Sequence, residues 1–388
     1  MYSFNNCMVG IIGSGAMGSG IGQIAATAGH QVVYYDTNIP SLDKAKTNLT
    51  TTLQKLEEKG KIKSASDVLS LMSFTNDLNA LKDCGLVIEA IVEKLEIKKE
   101  VFSGVEKIVS ESCVLATNTS SLSVTSIASA CKKAERVVGL HFFNPAPLMA
   151  LVEVIPAIQT DTALTQAAYE LMKTWGKVPV VAKDTPGFIV NRLARPFYGE
   201  ALRIFEEGIA DMATIDWAMT ELGGFKMGPF TLMDFIGHDV NYVVTETVFQ
   251  SFFYDPRYKP AFAQKRLLEA GWLGRKTGRG FYNYNSTEMP QPNKNETLGL
   301  YIVERVVAML INEAAEALHL NIATAKDLDL SMIKGVNYPK GLLSWCNEWG
   351  PAKCLGMLDS LYEEYHEDRY RASVILRKYA KNKELFNV

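Results

Sequence analysis

Short apolar runs alternate with longer amphipathic stretches up to about residue 183, after which the apolar runs fade and helical periodicity takes over. The runs CMVGII (7–12), QVVYYD (31–36), SFT (73–75), GLVIEAIVE (85–93), CVLATN (113–118), VVGLHFF (137–143), LMALVEV (148–154) and KVPVVA (177–182) read as strands. The stretches after residue 18 and over 41–63, 94–110 and 161–175 read as helices. This alternation predicts an open, mostly parallel sheet whose ligands sit at the carboxyl ends of its strands. Glu89, Asn118, Ser120 and His141 fall at such ends.

The turn Asp184-Thr185-Pro186-Gly187 opens a second, helical region, with proline early in a helix where its missing N–H is no loss. Within that region the pattern repeats. Offsetting by 113 residues pairs Glu200 with Glu313, Ala201 with Ala314, Asp216 with Asp329, Met219 with Met332, Gly228 with Gly341 and Gly237 with Gly350. Such density at one offset indicates an internal duplication. The expected organisation is an α/β domain over 1–183, an all-α domain over 184–288, a polar linker and a second copy over 296–388. The second copy puts Glu304 opposite Asn191 and lacks any counterpart of GRKTG (274–278), so it is expected to serve packing.

Bulk composition narrows the function. At 388 residues the chain exceeds one compact core. A net charge of −3 gives no long-range attraction for nucleic acid or an acidic membrane. Six scattered cysteines without a CxxC pair suggest reduced thiols and a cytoplasmic setting. No metal-ligand cluster, targeting signal or membrane span is evident.

The first strand runs into Gly13-Ser14-Gly15-Ala16-Met17-Gly18, a helix follows, and the next strand ends in Asp36. This is GxGxxG in its required strand–turn–helix setting, the pattern of a Rossmann-type dinucleotide domain. Gly13 permits the tight turn, Gly15 admits a pyrophosphate, Gly18 lets helix and strand pack, and Ala16 and Met17 begin a helix whose N-terminus attracts phosphate. Asp36 can accept from an adenosine ribose and would repel a 2′-phosphate, so NAD is expected over NADP. The competing interpretation is a tight turn in a nucleotide-free domain.

Glu153 is a lone acid in an apolar run, which is unfavourable unless something pairs with it. His141 is the nearest candidate. A carboxylate on one imidazole nitrogen fixes the tautomer and makes the other nitrogen a better base; a satisfied core histidine is the plainer alternative. Read singly, Ser120 is as well a helix cap, Asn191 a surface amide, Lys276 a loop lysine, and the lysine-bearing helix 41–63 a solvated face or a seat for an anionic handle.

GSGAMG, EAIVEK (89–94), NTSS (118–121), GLHFFNP (139–145), LVEV (151–154), DTPGFIVNR (184–192), MGPF (227–230) and GRKTGRGFY (274–282) together resemble the L-3-hydroxyacyl-CoA dehydrogenase family, in the subgroup with a duplicated C-terminal domain that acts on 3-hydroxybutyryl- or 3-hydroxyadipyl-CoA. The resemblance implies NAD-dependent oxidation of an acyl-CoA 3-hydroxyl, with His141 as base, Glu153 as its partner, and Ser120 and Asn191 on the substrate oxygen. It also implies that Asp36, Glu89, Lys94, Ser120, Asn144 and Lys276 line the NAD site, with Asn118 at a neighbouring strand end, and that Thr52, Lys59 and Ser120 contact CoA. The family implies a homodimer, or here an intrachain pseudo-dimer. Competing classes are a same-fold dehydrogenase of a free hydroxy or sugar acid, and a catalytically idle, crystallin-like NAD-binding protein.

Overall fold

Strands apolar on both faces call for a sheet covered on both sides, and that is the arrangement in the computed structural model, which describes residues 2–388. Its contacts divide the chain into one unit ending at Phe188 and a second spanning Ile189–Val388.

The first unit holds β1 (Met8–Ile12), β2 (Val32–Tyr35), β3 (Met72–Thr75), β4 (Cys84–Glu89), β5 (Val114–Thr117), β6 (Val137–Phe142), β7 (Leu151–Pro156) and β8 (Val178–Val181). They form one sheet in the order β3-β2-β1-β4-β5-β6-β7-β8. Every pairing is parallel except β6 with β7. The covering helices are α1 (Ala16–Thr27), α2 (Ile39–Glu58), α3 (Ala65–Ser70), α4 (Leu95–Glu106), α5 (Val124–Ala128) and α6 (Thr162–Thr174).

Among the boundaries that differ from the expected ones, three have a clear local reason. β4 stops at Glu89 rather than 93, because the Glu89 carboxylate takes the Ile91 N–H at 2.8 Å and turns the chain. β7 starts at Leu151 rather than 148, because the Met149 and Ala146 carbonyls accept from Lys177 Nζ at 2.8 and 2.6 Å. The long helix expected over 41–63 is α2 alone, which stops at Glu58 before Gly60, whose φ is +65°; the separate α3 follows, capped by Ser64, which accepts the Asp67 N–H.

The second unit is helical and internally repeated. Its first copy runs α7 (Val190–Leu193), α8 (Arg195–Glu206), α9 (Met212–Trp217), α10 (Pro229–Ile236), α11 (His238–Ser251) and α12 (Phe262–Glu269). The second runs α13 (Glu296–His319), α14 (Ala325–Val336), α15 (Leu342–Trp349), α16 (Pro351–Tyr365) and α17 (Val374–Asn382). The break between α7 and α8 falls beside Pro196, which lacks the N–H a continuous helix needs. Met309 occupies the matching place in α13, and that helix runs through.

Both copies fix their middle helices with one device. Asp216 accepts from the Phe230 and Thr231 N–H groups and the Thr231 hydroxyl. Asp329 accepts from Leu343, Ser344 and the Ser344 hydroxyl in the same way. The copies are also joined by crossed buried ion pairs: Arg192 Nε to Glu313 at 2.6 Å and Arg305 Nε to Glu200 at 2.6 Å. Tyr258 and Tyr370 donate to the same two carboxylates at 2.6 and 2.8 Å. Arg192 in one copy meets Glu313 in the other, and their counterparts Arg305 and Glu200 meet reciprocally. That is the isologous pattern of a twofold dimer, made inside one chain.

Candidate active site

The glycine turn is closed by contact and open where a ligand needs room. Gly13 has φ +98°, and a Cβ there would lie 2.7 Å from the Ala90 carbonyl oxygen; one on Gly18 would lie 1.9 Å from that of Gly13. A Cβ on Gly15 would meet nothing within 4 Å. Gly15 is the N-cap of α1, Ala16 and Met17 its first residues, and no side chain caps it. The first-turn N–H groups and the helix dipole therefore suit a diphosphate.

Asp36, just past β2, orders the rim of this turn. Its Oδ2 accepts from the Ser14 N–H and hydroxyl, both at 2.8 Å, and its Oδ1 from the Asn38 N–H at 2.9 Å. Burial alone would raise its pKa, but these hydrogen bonds outweigh it and hold the carboxyl below its usual range. Three of roughly four lone-pair sites are used, which leaves acceptor capacity for a ribose hydroxyl. The donor set and the clearance over Gly15 fit a dinucleotide without a 2′-phosphate. Beside the turn lies a cavity of about 450 Å³, lined by Ser14, Gly15, Lys44, Asn48, Thr52 and Pro147 among others.

At the ends of β4 and β5 the acids form a connected network. Lys98, 1% exposed, bonds Glu89 Oε1 at 2.5 Å and Glu93 Oε2 at 3.2 Å. Glu89 also accepts from Thr117 Oγ1 at 2.7 Å. Glu93 Oε1 accepts from the Thr119 hydroxyl at 2.6 Å, the Ser120 N–H at 2.8 Å, the Ser120 hydroxyl at 3.2 Å and the Ser121 N–H at 3.1 Å. Burial would raise the Glu93 pKa, yet Lys98 and then the Thr119 and Ser120 donors bring it below the ordinary value. Glu93 thus holds the turn that carries Ser120, and Lys98 holds Glu93. The Asn118 side chain accepts from the Phe142 N–H at 2.8 Å, tying β5 to the end of β6.

His141 on β6 and Glu153 on β7 are directly opposite in the antiparallel register, where side chains share a face. Nδ1 lies 2.6 Å from Glu153 Oε2, and the residues are 5% and 0% exposed. A bonded carboxylate places the proton on Nδ1 and leaves Nε2 as the lone-pair nitrogen. Phe143 and Phe188 flank the ring at centroid distances of 4.4 and 5.8 Å.

Other expected positions lie apart from this network. Lys94 is exposed at the N-cap of α4, four residues before the amine that is buried. Asn144 is exposed on the loop after β6; Lys177 anchors that loop, and burial lowers its pKa to about 8. Lys59 is the exposed C-cap of α2, while Thr52 lines the cavity by the glycine turn. In the helical unit, Asn191 sits in α7 and Lys276 forms a short ion pair with Asp239. Lys98 and Glu93 were not singled out from sequence. The available signal was that Lys98 falls at i, i+4, i+7 with Phe102 and Val105, on the buried stripe of α4.

No helix among the described residues is long and apolar enough to cross a membrane. Residues 8–185 match the family model for the NAD-binding domain of 3-hydroxyacyl-CoA dehydrogenase, and residues 187–284 and 301–387 each match the model for its C-terminal domain. The chain is similar to a 3-hydroxyadipyl-CoA dehydrogenase of Escherichia coli (strain K12), with 35% identity over 96% of this chain and 97% of the relative. It is 43% identical to a 3-hydroxybutyryl-CoA dehydrogenase of Clostridioides difficile over 71% of this chain and 98% of that one. A crystal structure of 3-hydroxybutyryl-CoA dehydrogenase from Escherichia coli K12 superposes with TM-score 0.92 at 34% identity, covering 98% of this chain and 99% of that one. The chain therefore belongs to the 3-hydroxyacyl-CoA dehydrogenase family of NAD-dependent oxidoreductases and carries the family's C-terminal domain twice.

Proposed function

We propose that the protein oxidises the 3-hydroxyl of an (S)-3-hydroxyacyl-CoA to the 3-ketoacyl-CoA, reversibly, with His141 as general base. The observation that carries this is the buried 2.6 Å contact between His141 Nδ1 and Glu153. With Nδ1 committed to the carboxylate, Nε2 takes the hydroxyl proton, and the Glu153 charge stabilises the imidazolium that forms. Ser120 and Asn191 hold the oxygen as it passes from alcohol to carbonyl, and in the reverse direction they stabilise its developing negative charge. NAD, when bound, supplies the acceptor for the hydride leaving C3.

The turn Gly13–Gly18 and Asp36 hold the dinucleotide, with Glu89, Asn118, Ser120, Asn144 and Lys276 completing its surroundings. Lys94, exposed at the N-cap of α4, lines the dinucleotide site with them, while Lys98, the amine engaged with Glu89 and Glu93, anchors that network. Thr52 and Lys59 contact CoA; the place of Thr52 beside the cavity supports this. Short-chain acyl-CoA metabolism in the cytoplasm, of the fatty-acid, butyrate or phenylacetate type, is the proposed setting; the names of the relatives support it. The crossed ion pairs support an intrachain pseudo-dimer in place of a homodimer. Light scattering should then return the mass of one chain, 42.9 kDa; twice that mass would contradict it.

A dehydrogenase of free hydroxy acids is the competing reading. Acetoacetyl-CoA and free acetoacetate, offered with NADH, separate the two. The proposal expects kcat/KM for the thioester to exceed that for the free acid by at least about 100-fold, since binding energy from the CoA handle is used at the reacting centre. Equal rates would refute it.

A further inference from the structure

Among the described residues, eight other than glycine have a positive φ. Seven of them are exposed, in turns and at helix ends. The eighth is Phe188, only 1% exposed, with φ +46° directly after Gly187 at +73°. A bulky side chain is disfavoured in this conformation and persists only where its surroundings over-determine it. Here two sets of hydrogen bonds do so. Asp184 accepts from the Ser123 hydroxyl at 3.0 Å and from the Val124 and Thr125 N–H groups at 3.1 and 2.7 Å, which ties the start of the turn to α5. The Phe188 N–H donates to the Thr185 carbonyl at 2.9 Å, which closes the turn. The result is a phenyl ring set against the His141 imidazole, 5.8 Å away and tilted by 56°. Phe143 is the second ring on that imidazole, at 4.4 Å and 50°.

The duplication shows that a helical domain of this kind does not need the turn. At the 113-residue offset Gly187, Phe188 and Ile189 fall on Leu300, Tyr301 and Ile302. All three lie inside α13, which is helical throughout. Tyr301 is 39% exposed and has no positive φ. The second copy follows no nucleotide domain, and its chain runs straight on. Only the first copy bends a buried phenylalanine into the left-handed region, and that bend carries the ring to the histidine.

We propose that Phe188 is a positioning residue for the proton transfer. Its ring keeps the imidazole in the orientation that leaves Nδ1 on Glu153 and presents Nε2 to the 3-hydroxyl, and it keeps water from the pair. This deepens the reading above and rests on His141 being the base. One hydrogen bond to a carboxylate still lets an imidazole rock about that bond. Tilted aromatic contacts favour one ring orientation over others. Excluding water also strengthens the attraction between Glu153 and the imidazolium formed in the reaction. Phe188 acts through His141 and needs no contact with substrate or cofactor.

The test follows acetoacetyl-CoA reduction by NADH in Phe188→Leu, which keeps apolar bulk but loses the ring, and in Phe188→Ala. A misplacement of about 1 Å can cost about 100-fold; a loosened imidazole should cost less, about tenfold in kcat for Phe188→Leu and about 30-fold for Phe188→Ala. KM and NADH affinity should stay within about twofold, as befits an interaction realised in the transition state. The decisive arm is a double-mutant cycle: on a His141→Gln background, Phe188→Leu should lower the residual rate by less than about twofold, because the group it positions is gone. Should Phe188→Ala fail to fold, Phe188→Leu and the cycle decide. A folded Phe188→Leu with wild-type kcat, or a loss repeated in full on the His141→Gln background, overturns the assignment and leaves the dehydrogenase reading standing. If the wild-type protein binds NADH but does not reduce the thioester, the dehydrogenase reading fails and this inference with it.

Discussion

His141→Gln should lower kcat for acetoacetyl-CoA reduction by about 1,000-fold, within the range that positioned acid–base groups contribute, while NADH affinity stays within about twofold. The asymmetry follows from the sheet order. The glycine turn follows β1 and Asp36 follows β2, whereas His141 is on β6, three strands from β1; at about 4.8 Å per strand that is some 14 Å. Loss of the imidazole therefore removes the proton donor without touching the dinucleotide turn. Glu153→Gln preserves shape and still accepts a hydrogen bond, but it no longer supplies the charge that stabilises imidazolium, so a loss of about 100-fold or more is expected. Because the interaction is with the transition state, kcat and kcat/KM should fall together with KM little changed. Steady-state rates with fluorescence titration of NADH check this; a variant with wild-type turnover removes its residue from the mechanism.

Glu313→Ala should destabilise the helical unit by about 3–5 kcal/mol, the usual consequence of leaving a buried charge without its partner. The change strands Arg192, which is 1% exposed, and takes the acceptor from the Tyr258 hydroxyl. Its mirror, Glu200→Ala, strands Arg305 and Tyr370 and should be similarly severe. Replacing both partners, as in Arg192→Met with Glu313→Leu, should recover most of the loss, since a packed apolar pair needs no desolvated charge compensated. Urea midpoints at constant slope measure the difference. Singles that unfold with wild-type midpoints would show the crossed pairs contribute nothing to joining the copies.

Much of the first unit was legible because its strands are buried on both faces and read as apolar runs. Strand ends were less so, since a single side chain decides them: Glu89 ends β4 by taking the Ile91 N–H, and Lys177 delays β7 by holding two carbonyls. The closeness of His141 to Glu153 was visible because an acid among Leu151, Val152 and Val154 demands a partner. The antiparallel register that sets them opposite was not, as runs alone do not carry strand direction. Lys98 was missed because a lysine in a charged helix reads as solvated unless its place on the Phe102–Val105 stripe is noticed. The duplication was readable from the offset, whereas its crossed ion pairs needed the folded chain.

The central claim is a CoA-thioester dehydrogenase built on the His141–Glu153 pair. It is tested most directly by mixing the wild-type protein with NAD and (S)-3-hydroxybutyryl-CoA and following the nicotinamide absorbance. The expected result is one NADH per ketoacyl thioester formed, with the rate abolished in parallel by His141→Gln. No NADH from the wild-type protein, or the same rate from the variant, would contradict it.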